Sequence, residues 1–169
     1  MRAETARRVG ASVVIVGAML VWPRPVGERQ NRSESRAISV LKAIAVAEIM
    51  YATVYGHYDT LDCLARTGCV PGRTADQDPF LSQELSAARN WYAYRIEFFP
   101  GPRSQDAGVP ERSSSAMDRF AVTAVPVDVA SAKRRAFCTD QSATIYISVA
   151  GTVPRVEDGR CLDVANPLR

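Results

Sequence analysis

Few residues in this chain have side chains that do chemistry, and their spacing decides what they can do. There is one histidine, His57. A general base or a covalent mechanism needs a nucleophile or an orienting partner placed to help it, and none is spaced around His57. It reads as a polar residue that compensates the dipole at the end of a helix. Glu48 lies at the margin of an apolar helical face. A carboxylate there either snorkels to solvent or, if buried, needs a partner. The sharper expectation is a structural pairing with an arginine or a backbone amide of the sheet. Lys133, Arg134 and Arg135 form a basic cluster. Such clusters can hold phosphate, but three charges on a turn are ordinarily solvated, and a net charge of +3 argues against an obligate polyanion binder. Nucleic acid is therefore not an expected partner. No Gly-rich phosphate loop, G-x-S-x-G elbow or H-E-x-x-H motif is present. The chain reads as a non-enzyme with no cofactor, and no small-molecule substrate is identifiable from it.

The four cysteines are Cys63, Cys69, Cys138 and Cys161. Neither pair has the C-x2-4-C knuckle that a zinc site wants, so no metal is expected. An even count behind an export leader points to two disulfides. Three connectivities are open; Cys63–Cys69 with Cys138–Cys161 is preferred, because each closes a local loop rich in turn residues.

The elements that must position these residues start with a leader. Arg2, Arg7 and Arg8 precede an apolar run, Val9–Trp22, which is followed at once by Pro23-Arg24-Pro25. The run falls short of the roughly 20 residues of a full bilayer span and fits the roughly 7–15 of a signal h-region. No A-x-A cleavage site follows it. It reads as an uncleaved signal anchor, with a signal peptide as the alternative. The arginines would keep the N-terminus in the cytoplasm and put the rest outside. Residues 1–27 are thus a leader, and the polar stretch Val26–Arg32 reads as a hinge.

Residues 28–169 read as one α+β domain. A long amphipathic helix is predicted over about 31–56. Val40, Ile44, Ala47, Tyr51 and Tyr55 fall on one face, with Ser35, Ser39, Lys42, Thr53 and His57 opposite. Asn31 with Glu34 gives a capping-box pattern, and Gly56 stands where a left-handed C-cap is wanted. Asp78-Pro79 can open a short helix over Phe80–Ala88, with Phe80, Leu81 and Leu85 inward. The period then changes. Trp91–Phe99 alternates and reads as a strand, with further strands at Phe120–Val125, Arg135–Thr139 and Thr144–Val149. The last two are joined by a turn at Asp140–Ala143. The result is a four-stranded antiparallel meander over about 91–149 with the helix across one face. The tail, 150–169, is expected to lie over the sheet. Trp91 and Phe99, on the second strand face, are candidates for a contact surface.

Two stretches resemble the type IV pilin-like and pseudopilin superfamily. The first is Ala37–Ala65, with Ala47-Glu48, Tyr51-Ala52 and Tyr55-Gly56. The second is YAYRIEF with RFAVTAVPV and RRAFCTDQSATIYIS. The resemblance covers the headpiece. The prepilin leader pattern is absent: Gly10 is followed by Ala11, and the fifth position after Gly10 is Ile15. The resemblance implies structural roles for Glu48, Tyr51, Tyr55 and Gly56, and a protein of the bacterial envelope. It would be held in the inner membrane through residues 9–22, with the domain on the extracytoplasmic side, or secreted if the leader is cleaved. The implied partners are other envelope or pilin-like proteins. The alternative is an exported module that holds a ligand or partner on the same fold without entering a filament.

Overall fold

The computed structural model describes residues 26–69, 78–87, 90–105, 113–128, 134–148, 152–162 and 166–168. The leader run at residues 9–22 and Lys133 lie outside them. Helix α1 is Val26–Tyr55, 30 residues and about 45 Å long. The predicted hinge is therefore the first two turns of α1. VGERQNR is rich in Glu, Gln and Arg, all good helix formers, and no proline follows Pro25 to interrupt it. The capping box does not form. Asn31 lies inside α1, where its carbonyl accepts the Ser35 hydroxyl at 2.9 Å, and Glu34 is spent on a tertiary contact.

The buried stripe of α1 is Ala37, Val40, Leu41, Ile44, Ala47 and Tyr51, as a period of 3.6 requires. Asn31–Tyr55 is long and apolar enough to cross a membrane by length and composition, but this stripe is occupied by the domain's own sheet. Gly56 ends the helix with φ of 77°, and its N–H bonds the Ala52 carbonyl at 2.8 Å. The left-handed residue at this point is the C-cap that glycine supplies without strain.

The chain then forms two short helices, α2 (Leu61–Leu64) and α3 (Gln83–Ala87). Helix α3 begins later than Asp78-Pro79 predicts. The Ser82 hydroxyl accepts the Leu85 N–H at 3.3 Å and opens the helix there. Leu81 is buried, and Phe80 and Leu85 pack against the core.

The strands are β1 (Asn90–Trp91), β2 (Tyr94–Pro100), β3 (Phe120–Pro126), β4 (Ala136–Asp140), β5 (Tyr146–Ser148), β6 (Arg155–Glu157), β7 (Arg160–Leu162) and β8 (Asn166–Pro167). Among the described residues they form an antiparallel sheet of order β1-β2-β3-β4-β5-β8 and a separate β6–β7 hairpin. The architecture is α+β, as the pattern predicts, with six strands in the sheet in place of four. One extra strand comes from Trp91–Phe99, which is not continuous. Tyr92 (φ 49°) and Ala93 (φ 68°) are both left-handed and turn the chain back, so that Trp91 faces Tyr94. Two left-handed residues in a two-residue loop match strand twist; the usual Asn-Gly signal is missing, and alternation alone read through the turn.

Helix α1 crosses β3 and β4. Tyr94, Ile96, Phe120, Val122, Ala124 and Phe137 meet it from the sheet. The opposite sheet face is covered by β6–β7, where Ala121, Cys138 and Cys161 form a second small core flanked by Phe99, Tyr146 and Val156. With both faces covered, every residue of β3 is buried. Within the tail, β6–β7 thus lies over the sheet, held by Cys138–Cys161, whereas β8 joins the sheet edge beside β5. A side chain at Gly159 (φ 69°) would put its Cβ 2.8 Å from the Cα of Gly101, so only glycine fits where the hairpin tip meets the sheet. The other disulfide is Cys63–Cys69.

Candidate functional site

The polar groups concentrate where α1 runs out. Asp59, in the loop between α1 and α2, is fully buried. Its Oδ1 accepts the Ser115 hydroxyl at 2.6 Å and the Thr60 N–H at 2.7 Å. Its Oδ2 accepts the Tyr51 hydroxyl at 3.2 Å. With the Thr60 hydroxyl, which also donates to Oδ1 at 3.5 Å, four donors on one carboxylate compensate its loss of water. The loop can present Asp59 this way because Gly56 turns the chain and Tyr58 pairs with Met117: each N–H bonds the other's carbonyl, at 3.0 and 2.9 Å. That pairing brings the serine loop at Ser113–Ser115 to α2.

Glu48, also fully buried, is the second acid here. Its Oε2 accepts the Asp59 N–H at 3.3 Å, and its Oε1 finds no hydrogen-bond partner among the described residues. Burial holds the carboxyl well above the ordinary carboxylate range; the Asp59 N–H opposes this, and the Asp59 charge adds to it. Glu48 does pair with a backbone amide, as expected, but one in the α1–α2 loop and not in the sheet. Burial, and then the Asp59 charge and hydrogen bond, push the Tyr51 hydroxyl well above its usual value.

His57 is buried, contrary to its expected place on the solvent side. It lies beyond the helix, where helical spacing no longer applies. Its Nδ1 is 2.8 Å from the Tyr55 carbonyl, which makes that nitrogen the donor. The ring stands edge-on to Tyr51 at 5.5 Å between centres. Tyr51 also touches Tyr55 and Phe80. The imidazole belongs to an aromatic cluster, which places no activated nucleophile beside it among the described residues.

Asp59 and the sulfurs of Cys63 and Cys69 lie within 4.8 Å of one another, a spacing that metal ligands adopt. Both sulfurs are in the disulfide, so neither offers the thiolate a metal would take. Beside this disulfide is an open cavity of about 590 Å³ lined by Thr60, Asp62, Cys63, Arg66, Gln83 and Ser115 among others. Arg66 and Asp62 form an exposed ion pair at its rim.

The remaining candidates are dispersed. Arg135 is committed to Glu34. Its Nη2 and Nε reach Oε2 at 2.6 and 3.1 Å, and its own N–H reaches Oε1 at 3.4 Å. Arg134 stands beside it, half-buried. Trp91 packs on the main core and Phe99 on the second one; both are half-buried and they stand on opposite sides of the sheet. The large apolar side chains that do stand in solvent include Val46, Met50, Val54, Tyr92 and Val127. Alternation along β2 could not reveal these. The line Val46, Met50, Val54 was readable as a second apolar stripe at i, i+4, i+8. Asp59 and Ser115 carry no signal in the sequence, because loop residues far apart meet only through the Tyr58–Met117 pairing.

No family model matches the chain, and neither a curated protein nor a solved structure matches it.

Proposed function

We propose that this chain is an envelope-anchored, pilin-like structural protein that works by protein–protein assembly and not by catalysis. The observation that carries this reading is the outward face of α1. Val46, Met50 and Val54 are 53%, 54% and 63% exposed. Their spacing sets them in one line about 12 Å long, on the side of the helix away from the sheet. An apolar line left in solvent on an otherwise packed helix suits a helix-to-helix contact between copies. A long helix laid on an antiparallel sheet, with two disulfides, fits a pilin-like headpiece in an oxidising compartment. Residues 9–22 serve as the membrane anchor in this reading. The buried Asp59 cluster is then structural, because it fastens the end of α1 to α2 and the serine loop.

The test is a photocrosslinking side chain at position 50 of the full chain in native membranes. The expected product is an adduct at twice the chain mass, lost when Val46 and Val54 are both changed to Glu. An adduct yield no greater than at Glu157, exposed on β6, would overturn the reading.

A second reading, an exported module that binds a ligand without forming a filament, is favoured by the cavity beside Cys63–Cys69. Its volume is in the range of small-molecule sites. Under it, position 50 gives no adduct and the chain stays monomeric.

A further inference from the structure

The end of the domain where α1 begins is chemically distinct. Helix α1 starts at Val26, just after the prolines that close the apolar run Val9–Trp22. Arg32 and Arg36 project from this half of α1 and are exposed. The Glu34–Arg135 pair brings the start of β4 to the same level, and Arg134 comes with it. The β1–β2 turn reaches this level as well. The Arg36 guanidinium carbon lies 4.0 Å from the centre of the Tyr92 ring. Val127 is tied to that turn by its N–H, which bonds the Ala93 carbonyl at 3.0 Å. Tyr92 is 49% exposed and Val127 57%. The carboxylates at this end are Glu34, already matched by Arg135, Glu28 in the first turn of α1 and Asp128, which has a partner of its own. An aromatic and an aliphatic side chain thus stand in solvent within a collar of arginines.

We infer that this collar docks on an anionic lipid surface. The inference rests on the reading that Val9–Trp22 lies in a membrane, which makes this the end nearest the bilayer. A tyrosine ring suits the headgroup layer, where one side is apolar and the other wet. Arginine reaches lipid phosphate from a long apolar stem. Each cation close to an anionic surface strengthens association about fivefold. Val26 and Arg36 are separated by about 15 Å along the helix, so α1 must lean for the collar to touch. Pro23 and Pro25 lack the N–H that a continuous helix requires, so α1 need not follow the axis of the preceding segment. Docking would set the direction in which the Val46–Met50–Val54 line faces, and so align neighbouring copies.

Trp22 and Trp91 are the two tryptophans. With Trp22→Phe, Trp91 beside the turn becomes a single reporter next to Tyr92. The full chain carrying this change is reconstituted into vesicles of phosphatidylcholine alone, or of phosphatidylcholine and phosphatidylglycerol in equal parts. Both contain lipid brominated near the headgroup. Quenching of Trp91 is expected to be at least twofold greater in the phosphatidylglycerol vesicles. It should fall to the phosphatidylcholine level in Arg36→Glu/Arg134→Glu, and also in the unmodified collar as salt screens it. The salt titration needs no variant to fold. Equal quenching in the two lipids, or quenching indifferent to salt, overturns the inference. Co-flotation of chain and vesicles is read in parallel. A chain that floats with both vesicle types but shows no lipid preference at Trp91 removes the collar alone; one that floats with neither removes the anchor and the collar together.

Discussion

Glu34 and Arg135 stand 101 positions apart in the chain and meet through two side-chain hydrogen bonds to one oxygen, at 2.6 and 3.1 Å. The Glu34 side chain is 5% exposed and that of Arg135 47%. The pair clamps α1 to the start of β4, and it is asymmetric. The acid is buried, whereas the base keeps contact with water. Arg135→Ala leaves a buried carboxylate without its cation and should destabilise the fold by about 2–4 kcal/mol. Glu34→Gln leaves only a solvated arginine and should cost less, about 1 kcal/mol. Chemical denaturation of both variants checks the order; equal losses would mean that the burial of Glu34 does not matter.

Glu48 makes stability depend on pH in an unusual direction. Its folded value lies well above the ordinary 4.5, so between the two values the folded chain binds more protons than the unfolded one. Its contribution is fully present below about 4.5 and is lost as pH rises toward the folded value, by about 1.4 kcal/mol per pH unit within that window. Glu48→Gln keeps the shape and removes the ionisation. The difference in unfolding free energy between variant and parent should grow with pH from 5 to 7 in the variant's favour. A difference that stays flat would show that Glu48 ionises normally.

Tyr51→Phe tests the Asp59 cluster. The hydroxyl gives one of the four hydrogen bonds to a buried carboxylate, and losing it should cost about 1–3 kcal/mol. The ring and its contacts with His57 and Phe80 are retained, so a much larger loss of thermal stability would point to packing instead.

The β6–β7 hairpin has a small core of its own and depends on its tether. Replacing Cys138 and Cys161 together by serine should destabilise the domain by about 2–4 kcal/mol. It should also raise amide exchange in β6 and β7 well before it does so in β3. Uniform exchange across the sheet would show that the hairpin and sheet unfold as one unit.

The substitution Gly159→Ala bears on the same hairpin. The positive φ and the 2.8 Å approach to the Gly101 Cα make alanine strained as well as crowded. The expected loss exceeds the roughly 1 kcal/mol of ordinary glycine replacements at φ > 0, read from the midpoint of thermal unfolding.

Local pattern alone determined much of this protein. The 3.6 period places Val40, Ile44, Ala47, Tyr51 and Tyr55 on one face of α1; the first four are buried, and Tyr55, at the helix end, is half-buried against the core. Gly56 marks the helix end because only glycine takes that conformation cheaply. The alternation in β2, the absence of a helical pattern in the long loop after it and the short later connections specify antiparallel strands, and short sequence separation made Cys63–Cys69 and Cys138–Cys161 the natural pairs. These features depend on residues that are neighbours along the chain, so their spacing carries them.

Contacts between distant segments were decided only by the tertiary structure. Glu34 has the look of a capping residue until α1 meets Arg135. His57 looks solvent-facing until the aromatic cluster closes over it. Glu48 acquires its partner from a loop whose path is set by Tyr58 and Met117. Trp91 and Phe99 look alike on the strand, yet they pack on different cores because the turn at Tyr92-Ala93 sets Trp91 opposite Tyr94 on the helix face, whereas Phe99 points to the hairpin face. The energy of a buried polar group depends on what surrounds it in space, and that arrangement exists only once α1, the sheet and the hairpin are packed together.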